Sequence, residues 1–134
     1  MSEELENSVR EMLKEETWTR AGISNFTKNN LMELAELLEK AHNQNCEYEI
    51  KDICDQQLAH TKDSIVALYI SGMVSLHSGS IDTSALVTLT EIFEKNHKEA
   101  LVEYLCQTIL DEDSQNKFAL RKLAEYYKET NDDK

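Results

Sequence analysis

Not one proline interrupts the 134 residues of this chain, and only three glycines do. Proline removes a backbone donor and breaks helices, and glycine loosens them. All-β folds need such residues at regular intervals to turn their strands. Their scarcity points to helices that run uninterrupted, joined by short polar turns. At 40% hydrophobic and 30% charged residues, the chain has a globular composition, and its length suffices to bury a core.

Helical periodicity runs nearly end to end. A first helix is expected over residues 3–16, with Leu5, Val9 and Met12 on one face. Glu3, Glu4 and Glu6 stand where the helix dipole favours anions. Residues 17–30, TWTRAGISNFTKNN, read as a structured connector. A second helix, over 28–43, carries Leu31, Leu34, Ala35, Leu38 and Ala41 on one stripe. A third, over 47–60, carries Ile50, Ile53, Cys54 and Leu58. Asp63 or Ser64 caps a fourth, which runs to Leu76 and is apolar almost all round, so it is expected at the centre. SGSID, residues 78–82, is the clearest break, and Asp82 or Thr83 opens a fifth helix bearing Leu86, Leu89, Ile92 and Phe93. Asn96 and Glu99 resemble a capping box for a sixth helix. A seventh follows DEDSQ, with Leu120, Leu123, Ala124 and Tyr127 as its packed stripe and Tyr126 facing outward.

Two stretches align without gaps at an offset of 52 residues. Ile50 falls on Val102, Ile53 on Leu105, Cys54 on Cys106 and Leu58 on Leu110. Further on, Ser64 falls on Asn116, Ala67 on Ala119, Leu68 on Leu120 and Gly72 on Ala124. A duplicated helix–turn–helix explains this register, with Gly72 and Ala124 as small residues that let neighbouring helices approach. The run A-L-x-x-L-A-x-x-Y after ILDEDSQN resembles a junction between tetratricopeptide (TPR) repeats, although the offset exceeds the TPR period of ~34 residues. The expected fold is therefore all-α: a right-handed α–α superhelix, a TPR-like fragment of about seven helices forming a single domain over residues 1–134.

The chemistry-bearing residues give little. A formal net charge of −12 repels phosphate backbones, so nucleic acid is not an expected partner. No apolar run is long enough to span a bilayer, and the N-terminus lacks the pattern of a secretory signal. Three cysteines without a close pair read as reduced thiols in a cytoplasmic protein. Cys54 and Cys106 lie on apolar stripes and read as small core residues. A thiol enzyme would need one of His60, His77 or His97 to approach a cysteine. His42 and Cys46 have the i,i+4 spacing of two metal ligands, but a zinc site needs three or four and the sequence offers no second pair. The acidic run Asp111–Asp113 lacks the loop of a calcium site and reads as a solvated turn. No glycine-rich phosphate loop exists. The expectation is therefore no catalytic, metal or cofactor site. Trp18, the only tryptophan, sits beside Arg20 in the connector. Trp18, Arg20 and Tyr126 are the candidate partner contacts, since Trp, Tyr and Arg dominate interface hot spots.

The stretches WTRAGISNFTKNNLMEL, ICDQQLAHTKDSIVALYISGMVSL and NKFALRKLAEYY, in this order, look like the N-terminal helical extension of spirochaete-type GreA transcription elongation factors. The resemblance covers essentially the whole chain. Such factors insert an acidic-tipped coiled-coil hairpin into RNA polymerase and dock through an FKBP-like domain. Neither part is present in this sequence, so no functional residue carries over. What the resemblance implies is the N-terminal module of a longer protein. Its expected role is non-enzymatic: a protein-interaction module that docks on RNA polymerase, on another transcription protein, or on downstream domains of its own chain. Stacking of exposed terminal helices makes a homodimer an option. The alternative is a generic helical-repeat adaptor with no link to transcription.

Overall fold

A computed structural model describes residues 2–15, 20–80 and 82–130. Among them the architecture is all-α, with no strand. The helices are α1 (Ser2–Glu15), α2 (Lys28–Asn43), α3 (Glu47–Leu58), α4 (Ile65–His77), α5 (Ser84–Lys95), α6 (Glu99–Glu112) and α7 (Lys117–Thr130). The connector between α1 and α2 contains a short 3-10 helix, Arg20–Asn25. It is tied down by Phe26, which is buried and stacks on Phe93 with ring centroids 6.0 Å apart. Lys98 also donates from Nζ to the carbonyls of Ser24 and Phe26, at 3.3 and 3.1 Å.

The centre of the molecule is α4. It packs against α1, α2, α3, α5 and α6, and nearly every residue from Ile65 to Leu76 is buried. The sequence dictates this, because IVALYISGMVSL leaves no polar face to present to water. Each fully buried Leu or Ile side chain contributes ~1.5–3 kcal/mol. The polar atoms on this helix find partners. Ser71 donates from Oγ to Asp55 Oδ1 of α3 at 2.6 Å, and Asp55 also pairs with Lys51 at 2.7 Å.

The repeat is larger than the helix pair visible in the sequence. It comprises α2–α3–α4 and α5–α6–α7, in one 52-residue register. Asn45 and His97, at matching positions, both adopt left-handed backbone conformations, with φ of 58° and 60°. Each ends a helix as an αL cap. The surrounding backbone bonds repeat as well. Cys46 N donates to Ala41 O at 2.9 Å, and Lys98 N donates to Phe93 O at 2.9 Å. At the start of the third helix of each copy, Ser64 Oγ accepts from Ala67 N at 3.3 Å and Asn116 Oδ1 accepts from Ala119 N at 2.9 Å. Three helices per unit account for an offset longer than a two-helix TPR period.

Three local expectations are corrected. Asn96 does not open α6: it closes α5, its Nδ2 donating to Ile92 O at 2.8 Å, because His97 has already turned left-handed. The packed stripe of α7 is Ala119, Leu123 and the half-buried Tyr126, whereas Leu120 and Tyr127 are 48% and 41% exposed. Gly72 is a close approach as expected, since a Cβ there would stand 2.6 Å from Leu86 Cδ2 of α5. Its counterpart Ala124 is exposed, since among the described residues α7 packs mainly against α6.

Candidate functional site

The ends of four helices converge on a groove of about 400 Å³. His42 comes from the last turn of α2, Glu47 opens α3, His77 ends α4 and Glu112 ends α6. The αL turn at Asn45 sets Glu47 back against His42, with Oε1 3.1 Å from His42 Nδ1. The two imidazoles meet edge to face, centroids 4.7 Å apart. His77 Nδ1 lies 2.9 Å from Glu112 Oε2. A carboxylate only accepts, so His77 donates from Nδ1 to Glu112. That hydrogen bond to Glu112 holds the His77 imidazole above its ordinary pKa. Glu36 and Glu39 of α2 add two more carboxylates to the walls, and Tyr69 and Met73 of α4 form the apolar part of the lining.

The sequence suggested Cys46 as the companion of His42. The structure buries Cys46 and puts Glu47 and His77 beside His42 instead. Helix α2 ends before Cys46, so the i,i+4 spacing does not bring the pair onto one helical face. His77 lies 35 residues from His42 and 35 from Glu112, and no local spacing announces it.

The thiols are chemically quiet. Burial pushes Cys54 up to about 12 and Cys106 up to about 11 from 9.0. Cys46 is raised too, by burial first and then by nearby glutamates. Nucleophilic cysteines work as thiolates, and none of these is poised as one near neutral pH. In the acidic turn, Asp113 accepts from Gln115 N at 3.3 Å and from Asn116 Nδ2 at 3.5 Å, so it shapes the entry to α7.

Of the expected partner contacts, Trp18 lies outside the described residues. Arg20 begins the 3-10 helix. Tyr126 packs edge to face on Tyr127, centroids 5.6 Å apart. Tyr127 keeps its hydroxyl on α6, donating to Glu103 Oε2 at 3.1 Å, while its ring faces outward.

Sequence comparison supplies the context. A GreA-associated domains protein of Treponema pallidum (strain Nichols) is 46% identical over 103 residues, covering 77% of this chain and 16% of the relative. Transcription elongation factor GreA of Borreliella burgdorferi is 34% identical over 121 residues, covering 90% of this chain and 13% of that protein. The chain is a homologue of these GreA-associated proteins. It spans about one sixth or less of the length of the relatives it matches. No protein-family model and no solved structure matches it. Among the described residues, no helix is long and apolar enough to cross a membrane.

Proposed function

We propose that this chain is a non-enzymatic, TPR-like interaction module of a GreA-type transcription elongation factor, acting in the cytoplasm by docking on RNA polymerase. The observation that carries the reading is the 34% identity to a GreA factor over 90% of the chain. The small share of that relative which it covers fits a module rather than the whole factor. The chain's own residues agree with a scaffold: its thiols are masked, and its helices form a repeated frame.

The outer face of α7 is open among the described residues. Leu120, Ala124 and Tyr127 are exposed at helical spacing on the counterpart of the α4 face that receives α5. In a longer polypeptide, the next helix takes that place on α7. Trp18, Arg20 and Tyr126 are the proposed contacts to the polymerase. Co-purification tests this: the tagged 134-residue chain retains RNA polymerase, and Trp18→Ala with Arg20→Ala weakens retention. If the chain retains neither polymerase nor the remaining domains of its GreA factor, the reading fails.

A further inference from the structure

We propose that the groove between α2, α3, α4 and α6 binds a divalent transition ion of the zinc type, through His42, His77 and Glu47. One nitrogen of each imidazole and one oxygen of Glu47 lie within 4.8 Å of one another. Zinc takes imidazole nitrogen and carboxylate oxygen at ~2.0–2.2 Å, which places tetrahedral ligand atoms roughly 3.4 Å apart. The three groups therefore need to close by no more than about 1.4 Å at the widest pair. His42 and His77 are 54% and 40% exposed, so small side-chain rotations suffice and an ion has a path from solvent. Glu112 is the positioning residue, fixing the His77 ring through Nδ1 in the manner of a carboxylate–histidine–metal arrangement.

Charge supplies a second, independent argument. Four glutamates line this groove, Glu36, Glu39, Glu47 and Glu112, and among the described residues no lysine or arginine lines it with them. The matching groove of the second copy solves the same problem internally. There Glu94 and Glu99 stand where His42 and Glu47 stand in the first, and Lys122 places Nζ 2.9 Å from Glu94 Oε2. One groove pairs a lysine with its glutamate, and the other sets two imidazoles among four carboxylates. Mixed imidazole and carboxylate ligands select zinc, nickel or copper over magnesium and calcium. An ion at this point clamps the ends of α2 and α4 to the start of α3 and rigidifies the first copy.

Calorimetric titration of the 134-residue chain with zinc chloride at pH 7.5 tests the site. The expected result is one ion per chain, unaffected by excess magnesium. His42→Gln and His77→Gln each weaken binding by more than ~100-fold, and Glu112→Gln by roughly tenfold, as for an outer partner. Glu94→Gln and His97→Gln leave binding unchanged. Cobalt in place of zinc gives the visible bands of a tetrahedral nitrogen–oxygen site. Absence of saturable binding, persistence of binding in the His42→Gln/His77→Gln double variant, or equal loss in His97→Gln each overturns the proposal. Circular dichroism of each variant separates loss of the site from loss of the fold.

Discussion

The two copies of the repeat share their local rules and differ in their surroundings. Both bend at a left-handed residue, Asn45 in the first and His97 in the second. Both cap their last helix with a buried polar side chain, Ser64 or Asn116. Yet Leu68 on α4 is 4% exposed and Leu120 on α7 is 48% exposed. Helix α4 is covered on its far side by α5, whereas among the described residues α7 packs mainly against α6. The lesson is that capping and turn geometry are written within a few residues, whereas burial is written by the neighbour.

The largest contrast lies in those paired leucines. Leu68→Ala removes fully packed atoms and is expected to cost ~2–5 kcal/mol. Leu120→Ala should stay within ~0.5 kcal/mol, as for a surface change. Equal costs in chemical denaturation would break the asymmetry between the copies. The small residues come next. Gly72→Leu drives a side chain into Leu86 and is expected to destabilise by ~1–3 kcal/mol. Ala124→Leu meets no such neighbour and should leave the melting temperature nearly unchanged. A raised melting temperature for Gly72→Leu would mean that α4 and α5 are not closely apposed.

The caps should behave alike, and this sharpens the comparison from the other side. Ser64→Ala and Asn116→Ala each remove a bond to the third backbone N–H ahead, at an expected cost of ~0.5–2 kcal/mol. A cost at only one of them would show that the local code is not shared. The matched thiols give the smallest effect, because at neutral pH both remain protonated whether the chain is folded or not. Their folded pKa values lie above the ordinary 9.0, at about 12 for Cys54 and about 11 for Cys106. The folded state thus holds protons that the unfolded state releases, and stability falls as pH rises above 9. Cys54→Ala should flatten the decline in melting temperature between pH 9 and 11, and Cys106→Ala should flatten it somewhat less. Unchanged slopes in both variants would contradict the burial of these thiols.

Much of this fold was legible because nothing in the chain breaks a helix. The bounds of α2, a cap at Asp63 or Ser64 and the central place of α4 follow from periodicity and polarity alone, and the structure settles the cap on Ser64. The offset of 52 residues was visible too, but only over its second and third helices. Helices α2 and α5 escaped because matched positions differ in size, as with Ala41 and Phe93, while the backbone around them repeats. The stripe of α7 was read one step off because apolar residues occupy both of its faces, and periodicity alone cannot say which face a neighbour covers. The groove was illegible for a related reason. His42 and His77 belong to different helices, and only the packing of α2 on α4 makes them neighbours.

The all-round burial of α4 also bears on how the protein is made. A chain emerging from the ribosome presents α4 before α5 and α6 exist to cover it. During that interval Gly72 and the apolar residues around it face water as an adhesive strip. The full burial of α4 therefore waits on synthesis of the second copy. The two copies are thus bound in time as well as in space.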